Sequence, residues 1–151
     1  MNKQMVAKNR RARFEYEILD VLEVGMSLLG SEVKALREGH CKVEEAYVLA
    51  EKGQLWIRGL YIGPYKMASI QNHDSFRKRC LLAKKKEIKS LAAGVDKKGL
   101  SIIPLELYFK GGLAKMAIAL GRGKKVADKR ETIKQRDATR EIAKQFKNRG
   151  L

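Results

Sequence analysis

Apolar and polar positions alternate first at Phe14–Gly25, "FEYEILDVLEVG", where Phe14, Tyr16 and Ile18 fall on one face and Glu15 and Glu17 on the other. Period-two alternation predicts a half-buried strand there. The run "MSLLG" follows, and "SEVKALREG" then changes the period: Val33 and Leu36 sit at helical spacing, Ser31 is a candidate N-cap and Gly39 a stop, which predicts a helix of about two turns. Two β-prone runs flank "EKGQ" in "EAYVLAEKGQLWIRGLYIG", a hairpin pattern with Gly53 free to take positive φ. "YKMASIQNHDSFRKR" has no period and reads as a long surface loop.

"KKKEIKSLAAGV" places Ile88, Leu91 and Ala92 on one helical face and predicts a helix ending at Gly94. Its leading turn is cationic, and cations at a helix N-terminus oppose the macrodipole by roughly 0.3 to 1 kcal/mol each. That cost tilts Lys84, Lys85 and Lys86 toward a role other than stability. "LSIIPLELYFKGGLAKMAIALG" is a second hairpin around Gly111 and Gly112, with Pro104 marking an edge or a bulge. Short strands, two or three short helices and no βαβ alternation predict a mainly β fold, a small OB-like β-barrel with helices packed on it.

Charge divides the chain differently. Of 151 residues, 33 are Lys or Arg and 17 Asp or Glu, a net charge of +16. Residues 1–13 carry five basic and no acidic side chains, whereas residues 14–76 carry six basic against ten acidic. The excess returns at 77–109, with nine against three, and at 110–151, with thirteen against four. The expected organisation is a basic arm over 1–13, a barrel core over 14–120 and a basic tail over 121–151. The tail is too poor in apolar residues to order itself, so it is expected to be disordered when free and helical only with a partner.

This surface suits a polyanion, either nucleic acid or an acidic membrane. Asn9 among Arg10, Arg11 and Arg13 mixes an amide with planar guanidiniums that grip phosphate and stack on bases, which favours RNA over lipid. No amphipathic apolar face supports a polybasic membrane-surface protein. No nucleophile, phosphate-loop or metal-ligand spacing is present, so neither enzyme, cofactor nor metal is expected; His40 and His73 read as ordinary surface or packing residues. Cys41 and Cys80 lack paired spacing and read as small buried thiols, and with no apolar run of membrane length a cytoplasmic protein with reduced cysteines is expected. A generic OB-like RNA-binding or ribosome-associated protein satisfies all of this.

A family resemblance narrows it. "NRRAR", "LEVGMSLLGSEVKALREG", "LWIRGLYIGPY", "LLAKKKEI", "LSIIPLELYFKGG" and "ALGRGKKVADKRETIKQRD" occur in this order over nearly the whole chain, which resembles the SmpB, or SsrA-binding, family. The resemblance implies an OB-like barrel that grips the tRNA-like domain of transfer-messenger RNA (tmRNA, SsrA RNA) and delivers it to stalled 70S ribosomes for trans-translation. It further implies that the tail replaces the codon–anticodon interaction at small-subunit ribosomal RNA, and that elongation factor Tu is met indirectly through charged tmRNA.

The family's RNA-contacting Asn, Glu and Leu match Asn9, Glu23 and Leu82. With them, Arg11, Arg13, Lys84, Lys85, Lys86, Lys124 and Lys125 are expected on tmRNA. Asp128, Lys129 and Arg130 match the tail motif and, with Lys134 and Arg136, are expected at the decoding site. Two positions depart: Ala127 stands where some members have a stacking His or aromatic residue, and Phe14 where many have a polar one. Without the resemblance, Glu23 reads as a solvated strand-end carboxylate and Leu82 as barrel wall.

Overall fold

The computed structural model describes residues 3–66 and 72–124. Its strands are β1 (Lys3–Lys8), β2 (Tyr16–Met26), β3 (Cys41–Lys42), β4 (Tyr47–Glu51), β5 (Gln54–Arg58), β6 (Tyr61–Ile62), β7 (Arg79–Leu82), β8 (Ser101–Lys110) and β9 (Leu113–Gly123). Helices α1 (Ala12–Glu15), α2 (Gly30–Arg37) and α3 (Lys85–Lys98) lie between them. Antiparallel pairing runs β8-β4-β5-β7-β2-β9, and β9 pairs back onto β8, so six strands close on themselves. The expected mainly β fold is found, and closure leaves none of these six strands as a free edge, while β1 adds to the flank of β8.

Both hairpins turn where their sequences place them. Lys52 and Gly53 have φ of 51° and 75°, and Gly111 and Gly112 have 61° and 79°, the pair of positive values that suits a two-residue turn to the twist of its strands. Pro104 sits at a bulge: pairing with β9 shifts register between Pro104 and Glu106. β8 is no edge, because β1 and β9 both pair along it.

The interior is apolar along alternate positions. Leu55, Ile57, Leu60, Ile62, Leu107, Met116 and Ile118 are fully buried, each worth roughly 1.5–3 kcal/mol relative to exposure. A second small cluster of Ala12, Ile103, Leu105 and Ala119 lies under α1.

Five expectations change. The basic arm contains β1, paired with β8 from Lys3↔Lys110 to Lys8↔Glu106. Phe14 belongs to α1, so the strand expected from it starts at Tyr16. Helix α2 is capped by Leu29, whose amide donates to Glu32 Oε1 at 2.8 Å, and Ser31 instead bonds His73. Helix α3 passes Gly94 and ends at Gly99, because Gly94 serves packing: a Cβ there would stand 2.9 Å from Leu120 Cδ1. The core–tail boundary at 120/121 cuts β9, whose pairing continues to Gly123↔Tyr16.

Gly59 is the least replaceable glycine. Its φ is 73° and an added Cβ would meet the Glu45 carbonyl oxygen at 2.7 Å, a backbone atom that cannot swing aside. Gly59→Ala is expected to cost about 2–4 kcal/mol, combining the left-handed penalty with overpacking. The check is a lower denaturant midpoint with an unchanged slope.

Candidate nucleic-acid interface

Gly25 ends the long run of β2 pairing opposite Lys115 on one side and Leu82 on the other. A Cβ on Gly25 would lie 3.4 Å from Leu82 Cβ and 3.8 Å from Lys115 Nζ, so a leucine and an ammonium converge beside this glycine. They line a groove of about 530 Å³ with Glu23, Lys84, Lys85 and Gln54, among others. Leu82 is 56% exposed, which rules out the barrel-wall alternative and gives the groove an apolar shelf beside cations. Exposed bases stack on such a surface.

Glu23 stands at the mouth. Tyr108 donates its hydroxyl to Glu23 Oε2, and Lys110 Nζ lies 3.4 Å from the same oxygen. The Tyr108 hydroxyl, followed by the neighbouring Lys110 and Lys115, holds the Glu23 carboxyl below its ordinary range against a smaller opposing effect of burial. Burial and the Glu23 carboxylate together raise Tyr108, which remains a donor. Glu23 is therefore an ionised acceptor of fixed orientation, the state needed to read a base-edge donor.

The leading turn of α3 completes the surface. Lys84 precedes the helix and its amide donates to Glu87 Oε1 at 2.9 Å; Lys84, Lys85 and Lys86 are all exposed. Only the first two reach the groove. Their cations and the helix's free N–H groups would together meet a phosphate.

Arg11, Arg13 and Lys124 form a separate cluster at the other end of β2. Lys124 donates its amide to the Glu15 carbonyl and its Nζ to the Arg13 carbonyl, both at 2.8 Å, and Arg11 pairs with Glu45 at 3.4 Å. Seven residues of β2 separate Tyr16 from Glu23, about 23 Å at the usual strand rise. Asn9 is committed elsewhere: its amide nitrogen donates to Pro104 O at 2.9 Å and its backbone N to Leu105 O at 2.8 Å, fastening α1 to the bulge. Lys125, Asp128, Lys129, Arg130, Lys134 and Arg136 lie outside the described residues.

The sequence model described as SmpB protein matches residues 6–148. The chain belongs to the SmpB family. An SsrA-binding protein of Chelativorans sp. (strain BNC1) is 49% identical over 96% of this chain and 94% of its own length. One from Sulfurihydrogenibium sp. (strain YO3AOP1) is 48% identical over 99% and 98%. A chain from the solved structure "tmRNA-SmpB: a journey to the center of the bacterial ribosome" is 45% identical, with TM-score 0.66 over 80% of this chain and 85% of that one.

The residues of this SmpB-family chain that sequence reasoning missed lie beneath the surface. Glu32 and Arg79 are both fully buried and joined from Nε to Oε2 at 2.5 Å. Arg79 also donates to the carbonyls of Leu60 (2.7 Å), Asp74 and Ser75 (3.3 Å each), and Arg77 donates to Glu32 Oε1 at 2.6 Å. Burial alone would raise the Glu32 carboxyl, but the bonds from Arg77, the Leu29 amide and Arg79 outweigh it and hold it low. Beside this network, His73 Nε2 donates to Ile62 O at 2.9 Å, and its Nδ1 is hydrogen-bonded with the Ser31 hydroxyl at 2.9 Å.

The Glu in "GSEVKALREG" thus ties α2 to the segment entering β7, whose last residue is Leu82. Arg79 lies in the basic stripe of residues 77–109, and a paired acid is what distinguishes it from the other cations there. Lys115 was missed because its register opposite Gly25 is set by folding alone. Cys41 and Cys80 are free and only partly buried, and burial pushes the Cys41 thiol up to about 12, far from a nucleophile. Among the described residues no helix is long and apolar enough to cross a membrane.

Proposed function

We propose that this protein binds the tRNA-like domain of tmRNA through the groove at Gly25 and carries it to stalled ribosomes for trans-translation. The observation that carries the reading is the meeting of Glu23, Leu82, Lys84 and Lys85 with Lys115 in one groove. An ionised acceptor, an apolar shelf and three cations recognise a folded RNA with unstacked bases better than either a duplex or a lipid headgroup. Membership of a family whose relatives are SsrA-binding proteins, and likeness to a chain solved with tmRNA and the ribosome, support the same partner.

In this reading the core and Lys125 capture RNA and residues from Asp128 onward act at the decoding site, with elongation factor Tu brought along by charged tmRNA. Lys86 serves as a peripheral cation, and Asn9 contributes by holding the bulge. Arg11, Arg13 and Lys124 extend the basic track toward the tail. The direct test is binding of the full-length protein to the tRNA-like domain against a single strand of equal length across a salt series. Equal affinity for the two would overturn the assignment.

In this reading capture and decoding use different segments of the chain, so they should separate by mutation. Changing Asp128, Lys129 and Arg130 together to Ala is expected to leave affinity for the tRNA-like domain within a few fold and to abolish peptide tagging in a reconstituted stalled-ribosome assay. Parallel loss of both would refute the division.

A further inference from the structure

The outer face of β5 and β7 carries the groove's surface on beyond Leu82. Leu55 and Leu81 pair across the two strands and are both buried, so Gln54, Trp56, Cys80 and Leu82 on either side of them turn outward. Gln54, Cys80 and Leu82 line the groove. Trp56 pairs directly with Cys80 and, across its other edge, with Leu49, which is 37% exposed. A half-buried indole therefore borders the groove, level with a position two residues, or about 7 Å, along β7 from Leu82.

The indole has a cation of its own. Lys78 Nζ lies 4.6 Å from the centroid of the Trp56 ring. Lys78 is exposed, whereas Arg79 beside it is fully buried, and Lys78 makes no ion pair among the described residues. An ammonium resting on an exposed aromatic face is held weakly enough to move to a phosphate. Glu51, the acid on the neighbouring strand, is neutralised by Arg58 at 3.1 Å. Continuity with a cation-lined groove, and a mobile cation over the ring, select a nucleic-acid strand over an apolar protein segment.

We propose that RNA held in the groove continues across this face, with one unpaired nucleotide on Leu82 and the base of its neighbour stacked on Trp56, while Lys78 leaves the ring for the phosphate between them. The inference rests on the groove as the RNA site and adds a second base platform to it. The course of the strand follows from the order in which β2, β7 and β5 pair. An indole takes any base, because every base has a π-face, so Trp56 contributes affinity and direction while Glu23 reads a base edge.

The chain has 1 Trp, so tryptophan emission reports this face alone. Titrating the full-length protein with the tRNA-like domain of tmRNA should quench that emission by about half or more, along the same curve as binding measured by filter retention. W56L keeps an apolar side chain but removes the π-face; it should weaken binding by about 5- to 100-fold with an unchanged salt slope, and W56F should recover most of the loss. K78A should flatten the slope of log affinity against log salt by about 1 unit. The emission measurement uses the unaltered protein, so it does not depend on how the variants fold. Retained RNA with unchanged emission, or W56L binding as tightly as the unaltered protein, would overturn the proposal, with the groove standing and the shelf left to a protein partner. No retention of the RNA would overturn the groove reading and this one together.

Discussion

Glu32→Ala is expected to destabilise the protein by about 3–5 kcal/mol, the usual cost of stripping one partner from a buried ion pair. For a chain of this size that lowers the melting temperature by roughly 6 to 20 °C. The loss exceeds that of a surface pair because Arg79 is 0% exposed and has no solvent to turn to. Arg79→Met should cost at least as much, since it leaves buried Glu32 with Arg77 and the Leu29 amide and removes a donor from three carbonyls, those of Leu60, Asp74 and Ser75. The double variant E32A/R79M should therefore cost less than the sum of the singles, yet stay below the unaltered protein because the Leu60 carbonyl loses its Arg79 donor, whereas those of Asp74 and Ser75 keep the backbone amides of Arg77 and Ile62.

The pH dependence carries a definite sign. The folded-state carboxyl of Glu32 is held low, so its contribution is fully present above the unfolded value of about 4.3 and fades as pH falls through the folded value. The gap between the unaltered protein and Glu32→Ala should shrink below about pH 4.3 for the same reason. Chemical denaturation at pH 7 and across the acid range measures both effects. A cost under 1 kcal/mol at pH 7 would show that the network does not hold the segment entering β7.

What was legible in the sequence follows from how local each signal is. Both hairpins could be read because Gly53 and the Gly111–Gly112 pair state their turn geometry within two residues. Helix ends were less secure: Ser31 looks like a cap by type, but the structure uses the Glu32 carboxylate and frees Ser31 for a histidine 42 positions away. Gly94 looks like a stop, but its role is close approach to Leu120, a residue of another element. β1 was hidden because its side chains, "KQMVAK", announce charge rather than alternation, and its order comes from the bulged flank of β8.

The candidate site divides in the same way. Leu82 and Glu23 were named through family resemblance, and the structure brings these residues, far apart in the chain, to one groove because β2 pairs with both β7 and β9 at Gly25. Lys115 carries no motif and is found only from that register. Arg79 reads as a cation like its neighbours, and only the fold, which turns it inward onto Glu32, removes it from the solvent-facing cations.

The groove's cations therefore admit a sharper test than the composition of the stripe as a whole. Reversing Lys84, Lys85 and Lys115 together to Glu is expected to weaken binding of the tRNA-like domain by about 100-fold or more at low salt. Three lost phosphate contacts should also flatten the slope of log affinity against log salt by about 2 to 3 units. All three side chains border solvent, so the fold should survive, with a melting temperature close to that of the unaltered protein. A matched triple reversal of Lys89, Lys97 and Lys98 on α3 preserves the change in net charge but lies outside the groove. If affinity depends on a diffuse field, the two triples should weaken binding alike. If RNA occupies the groove, the first should be far weaker than the second, and Leu82→Ala should lower affinity with little effect on the salt slope, because an apolar shelf releases no counterions.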